Sequence, residues 1–381
     1  MLDKLRHELR LIYSTKEQSQ NGKRLVGLDM ARGIAIILVV IGHSGFVSHA
    51  CNTWISTFHL PLFFILSGIL TGIRQEDGQP LSKLALQKAQ SIMVPYLWFS
   101  FGSICLDILQ VLLGNFTWDM VWEHEAQTLT LQGYSVLWFL PVLYLAEIIL
   151  VLVVKIFKRF STNRICALTI TMILITGCAV GGYYTYQALI VTAVPASVLH
   201  IFRICGKSFI GAAFMSYGYV FGKLYSNWAI TIRKWCTFLS GALLCSVNLM
   251  VLSQIQLLDL NNLDLQNPGI YLLLGITGGM GCILICMGIP NIPFLTFLGQ
   301  NSLIIMCTHL NFYVMLISMR LYQFLFSEVS GTNNTIYAVF SLAGTFVLSI
   351  GVILIIRIFF PFVLGRKKVL VGKAEEKRIA A

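Results

Sequence analysis

Six ionisable side chains sit in stretches otherwise built for hydrocarbon: Arg32, His43, His59, Asp107, Glu147 and His309. Such groups are costly at membrane depth, so each is a functional candidate, normally facing a cavity or a partner. The first two set the problem. In "GLDMARGIAIILVVIGHSG" (27–45), ten residues separate Arg32 from His43, about 16 Å on a helix at roughly 1.5 Å per residue. Arginine offers a planar cationic fork for phosphate or for polarising a carbonyl. Histidine exchanges a proton near neutral pH. The histidines match no local ligand spacing, so no metal is expected.

The elements that position these groups follow from composition. Of 381 residues, 57% are hydrophobic and 11% charged, against about 25% charged in an ordinary soluble domain. The expectation is an all-α polytopic membrane protein of about ten spans: 31–50, 54–73, 93–113, 136–154, 165–184, 207–225, 235–254, 269–289, 296–319 and 336–360. A polar tail (1–30), one membrane domain (31–360) and a basic tail (361–381) make up the chain. No cleavable signal peptide is expected. Basic loops stay in the cytoplasm, and with both termini inside, all Lys and Arg fall there except Arg32, Arg203, Lys207 and Arg320. The apolar but short segment 188–202, which contains Pro195, reads as a re-entrant or interfacial element on the outside. A net charge of +11 suits anionic lipid, and no nucleic-acid partner is expected. The ten cysteines show no CxxC pair, and the sequons at Asn115 and Asn333 matter only in a eukaryotic cell.

This topology places His43, His59 and His309 at similar depth in the outer half of the bilayer. Structural roles compete with the functional ones. Arg32 reads equally as a snorkelling end-anchor, the histidines as hydrogen-bond partners of neighbouring helices, and Asp107 and Glu147 as partners of a buried cation. Ser67 in "FFILSG" reads more as a small packing residue than as a nucleophile.

The stretches "RLVGLDMARGIAIILVVIGHS" (24–44) and "FHLPLFFILSGILTG" (58–72) closely resemble the acyltransferase-3 family of integral membrane proteins, especially its fucose 4-O-acetylase-like branch. Arg32 and His43 reproduce the family's Arg, ten residues, His signature. "WFLPVLYL" (138–145) and "FLGQNSLIIMCTH" (297–309), with Gly299, Asn301, Ser302 and His309, fall on its pattern. Many relatives carry a basic element before the third span, where this chain reads "LQKAQSIMVPY" (86–96), with Gln90 and Ser91 in place of arginines. The resemblance implies O-acyl transfer, usually of acetyl, from cytoplasmic acyl-CoA (acetyl-CoA or another) to a hydroxyl of a bacterial surface glycan. O-antigen, exopolysaccharide or an undecaprenyl-linked precursor would be the acceptor class, at the inner (cytoplasmic) membrane, with no permanently bound cofactor. His43 is then the base and Arg32 the catalytic or donor-binding cation, with Lys83 and Lys88 near the donor. His59, His309, Glu147, Asp107 and Asp29 would give support, Glu147 or Asp107 by orienting a histidine. Direct transfer and an acyl-enzyme both remain open, and the external loops 114–135 and 185–206, with His124, Arg203 and Lys207, would meet the acceptor. A glycolipid or anion transporter is the alternative class.

Overall fold

Hydrocarbon offers backbone N–H and C=O groups no partner, so a chain this apolar must satisfy them within helices. In the computed structural model, which describes residues 25–160, 164–192, 194–228, 233–251, 255–326 and 334–365, the regular elements are helical apart from one bridge between Asp259 and Asp264. The N-terminal tail through Arg24, the basic tail after Gly365 and the sequon at Asn333 lie outside the described residues. Eight of the described helices are long and apolar enough to cross a membrane.

Helix α1 (Val26–His43) starts five residues before the expected 31, because Val26 to Leu28 extend its apolar run. It ends at His43, where the Ser44 hydroxyl donates to the Ile41 carbonyl at 2.7 Å and Gly45 turns the chain at φ +72°. Helix α2 (His49–Ile73) returns across the bundle. Helix α3 (Leu81–Lys88) runs through one π turn (89–93) into α4 (Val94–Leu112), and a short helix α5 (Trp118–Leu129) follows. Then come α6 (Phe139–Phe160), α7 (Arg164–Val191), α8 (Ala196–Trp228), α9 (Lys234–Met250) and α10 (Pro268–Gly288).

Two expectations are corrected. Segment 188–202 is not a re-entrant element: it forms the adjoining ends of α7 and α8, 28 and 33 residues long, which turn at Pro195. Both helices run beyond the expected ends at 184 and 207. Nor is 296–319 one continuous span. It divides into α11 (Pro293–Gln300), α12 (Ser302–Thr308) and α13 (Val314–Phe326) before α14 (Asn334–Phe359) closes the bundle. Asn301 makes the first break. Its side-chain amide donates to the Phe297 carbonyl at 2.7 Å, while its backbone N–H turns to Leu298. At the second break the chain turns through Tyr313 at φ +56°.

Helix α2 is the centre of the fold: 72% of its apolar window is buried, against 28% for α7 and α14 at the periphery. It packs on α1, α8 and α10, and most closely on α8. The contact uses two facing Gly-x3-Gly pairs, Gly68/Gly72 on α2 and Gly218/Gly222 on α8. A Cβ at Gly68 would stand 2.0 Å from the Met215 carbonyl oxygen, and one at Gly218 would stand 2.1 Å from that of Ile65. No side chain fits between these backbones.

Gly68→Val should therefore separate α2 from α8, costing on the order of 1–3 kcal/mol or more by overpacking. Gly177→Ala, on α7 with nothing within 4 Å of the new methyl, should leave stability unchanged or slightly raised. Thermal unfolding of the two variants in detergent checks the contrast.

Candidate active site

A cavity of about 410 Å³, on the side expected to face outward and so called the outer cavity, opens where α1 ends and the start of α6 approaches α2. His43, the last residue of α1, faces it, as do His59 from α2 and the Trp138 and Phe139 side chains. His309 stands directly behind, at the end of α12, its ring centroid 5.4 Å from that of His43. The structure thus brings all three span histidines to one place.

Hydrogen bonds fix the tautomers of two. The Nδ1 of His309 lies 2.9 Å from the carbonyls of Ile305 and Met306, and the Nδ1 of His59 lies 2.7 Å from that of Ile55. Carbonyls only accept, so each Nδ1 carries a proton and each Nε2 keeps its lone pair in the neutral ring. The Nε2 of His309 is buried without a partner among the described residues. The His43 ring also makes no hydrogen bond to the described residues, and it is exposed into the cavity. A base open to a substrate, with a second lone pair behind it to receive an N–H, is an arrangement for moving protons.

Arg32 lies elsewhere. It is half-buried on α1 about 16 Å below His43 along the axis. There α1 meets α11 backbone to backbone: a Cβ at Gly299 would stand 1.8 Å from the carbonyl oxygen of buried Asp29, and one at Gly33 2.1 Å from that of Leu295. Gly299 is thus needed for close approach. A second cavity, about 350 Å³, opens next to this contact on the side expected to be cytoplasmic, lined by Gln87, Gln90, Ser91, Gln300, Asn301 and Arg357. The segment following Gly299 touches both cavities: Asn301 and Ile304 line the inner one, Met306 and Leu310 the outer.

The two candidate carboxylates orient none of the three cavity histidines. Glu147 accepts a short hydrogen bond from the Ser67 hydroxyl and faces Lys88 at 3.2 Å, and Lys88 also meets Glu76 at 2.8 Å. Ser67 and Lys88 are therefore held in a structural network rather than displayed to a substrate, while Lys83 is exposed on α3. Asp107 does hold a histidine, but that histidine is His124 of α5, at 2.8 Å, stacked on Tyr134 at 3.5 Å between centroids. On the side expected to be cytoplasmic, Lys158 and Lys223 converge on Asp77. Burial alone would raise the pKa of that carboxyl, but the two ammonium groups outweigh it and hold it below the usual carboxylate range. Its stabilising effect is present at neutral pH and is lost as pH falls through this lowered value.

One wall of the outer cavity was not foreseen. The loop between α9 and α10 (255–267) folds inward on four buried leucines, Leu258, Leu260, Leu263 and Leu265, and presents Asp259 and Asn261 to the cavity. It is held by Lys207, 1% exposed, whose Nζ donates to the Asn261 side-chain oxygen at 3.1 Å and lies 4.7 Å from the Trp138 ring. The leucine pattern in "LLDLNNLDLQNPG" is the signal that marks a buried loop. Loop 114–135 reaches the cavity only through its last residue, Ser135, beside Val136 that follows it, and 185–206 does not line it.

Fold and site together define a polytopic membrane protein with a histidine cluster in a cavity on one side and a separate polar cavity on the other. The model of the acyltransferase-3 family, described as an acyltransferase domain, matches residues 25–354, and the chain belongs to that family. Its class is therefore a multi-pass membrane acyltransferase. Neither a curated protein nor a solved structure shows a significant match.

Lys88→Met removes the one ammonium shared by Glu76 and Glu147 and leaves buried carboxylate charge uncompensated, whereas Glu147→Gln leaves Lys88 paired with Glu76. Lys88→Met should destabilise by about 3–5 kcal/mol, Glu147→Gln by clearly less, and the double variant by less than their sum. A double-mutant cycle on melting in detergent measures this.

Proposed function

We propose that the chain is an O-acyltransferase, in the first place an O-acetyltransferase, carrying an acyl group from cytoplasmic acyl-CoA to a hydroxyl of a bacterial surface polysaccharide or its undecaprenyl-linked precursor at the cytoplasmic membrane. The observation that carries the reading is His43, facing the outer cavity without a hydrogen-bond partner among the described residues, with the His309 ring, whose buried Nε2 is likewise unpartnered there, 5.4 Å away between centroids. In this reading the acceptor enters the outer cavity. His43 takes the hydroxyl proton as the oxygen attacks the thioester carbonyl carbon. The C–S bond of the tetrahedral adduct then breaks, and the departing sulfur takes the proton back from His43. His309 accepts an N–H from the imidazolium while the charge lasts.

The 16 Å axial separation divides the labour. Arg32 is too far from His43 to polarise the carbonyl under attack, so it belongs to the donor's end of the path, beside the inner cavity. Direct transfer fits better than an acyl-serine, because Ser67 is held by Glu147. A neutral polyhydroxylated acceptor suits a cavity lined by Asn52, Ser56, Asn261 and the Trp138 ring.

The test is acyl transfer in membranes of matched expression, scored by mass for base-labile esters on the surface glycan. His43→Ala should lower transfer by about 10²–10⁴-fold. His309→Gln should lower it less and shift the pH profile, because it removes the group that stabilises charged His43. Full transfer by His43→Ala would sink the mechanism. Altered acceptor distribution across the membrane with unchanged esters would instead indicate a transporter.

A further inference from the structure

Lys207 of α8 is a buried cation that the transfer chemistry does not use. It is 1% exposed, yet its ammonium backs two residues that line the outer cavity: it donates to Asn261 Oδ1 at 3.1 Å and lies 4.7 Å from the Trp138 ring centroid. Burying such a charge is costly, and an apolar side chain would pack in its place at less cost. Nor is Lys207 the loop's main anchor. Leu258, Leu260, Leu263 and Leu265 bury loop 255–267, and Asp259 and Asp264 exchange backbone hydrogen bonds at 2.8 Å. The Gln187 amide of α7 donates to the Leu263 carbonyl at 2.9 Å, and the Leu258 N–H donates to the Ser56 hydroxyl of α2 at 3.2 Å.

What Lys207 adds to these anchors is direction. An ammonium has donors only, so the Asn261 carboxamide must turn its oxygen to Lys207 and its NH₂ away from it. The Asn261 backbone N–H is fixed as well, donating to Asp259 Oδ1 at 2.8 Å. Asn261 is half-buried, and its Nδ2 makes no hydrogen bond to the described residues. A pinned amide with two unused N–H donors, beside an aromatic ring, is a preorganised place for a sugar. Oxygens accept at the amide while the apolar C–H face lies on the ring.

We propose that Asn261 is a specificity residue for the acceptor, its Nδ2 donating within the outer cavity to an oxygen of a pyranose packed on Trp138, and that Lys207 is the positioning residue that sets this amide. The inference rests on the acyl-transfer reading for its acceptor and deepens it by naming the contact that reads the sugar. Because His43 lines the same cavity, the oxygen held at Asn261 selects which hydroxyl reaches the base. Lys207 itself touches neither the sugar nor the reacting atoms.

The experiment uses the purified full-length protein in lipid nanodiscs, titrated calorimetrically with the surface glycan of the cells that express it, stripped of esters by base. Asn261→Leu and Lys207→Met should each weaken glycan binding by roughly 3–10-fold, the loss of one well-placed hydrogen bond. The double variant should bind no more weakly than the weaker single variant, because Lys207 acts through Asn261. It should also melt above either single variant, since it removes a polar pair together instead of orphaning one partner. Stability regained with affinity still low is a result that a purely structural role for the pair does not give, and the double variant carries the test if a single variant does not fold. Affinity unchanged in the folded variants, losses that add in the double variant, or no glycan binding by the wild type would each overturn the proposal. Glycan binding that depends on Asn261 and Lys207, with no ester formed by the wild type in membranes, would uphold it and defeat the acyl-transfer reading. Ester formation by a wild type whose glycan affinity ignores both substitutions would do the reverse.

Discussion

A charge in hydrocarbon must find a partner or a cavity, and nearly every feature of this protein follows from how that requirement is met. Lys88, Glu76, Glu147 and Ser67 satisfy one another between α3, α6 and the α2 end of the bundle, and Asp77 gathers Lys158 and Lys223. Asp107 is closed by His124. His43 and the Nε2 of His309, which face or back the outer cavity, have no such closure among the described residues. The distinction between structural and chemical polar residues is thus drawn by which hydrogen bonds have been made.

The cavities exist because the helices around them are unusually close or unusually short. Glycines let α2 touch α8, and α1 touch α11, through their backbones. Short helices do the opposite: α1 stops at His43 and α12 at Thr308, so space opens above both ends, and loop 255–267 walls it. A continuous span over 296–319 would have carried His309 past this opening. The break at Asn301 also divides one segment between two cavities.

The sequence alone determined the class and the family. Charge depletion and long apolar runs dictate a helical bundle in lipid, and the Arg32–His43 spacing is local enough to survive in any arrangement of the helices. It also singled out the three histidines, because depth along a span follows from residue count at fixed rise. The facing Gly-x3-Gly pairs were visible as letters, but nothing in one chain segment says which other segment it will meet.

Helix rotation and pairing were left to the tertiary structure, and those are what assign roles. Whether Asp107 orients His124 or His43, whether Lys88 meets a donor or Glu147, and whether a leucine-rich loop points out or in all depend on contacts between residues tens to hundreds of positions apart. Composition placed Arg32 and His43 on one helix about 16 Å apart. Only packing showed that one helix end opens on a histidine cavity while its other end lies beside a separate chamber lined by amides, since a cavity is the space that several helices jointly fail to fill.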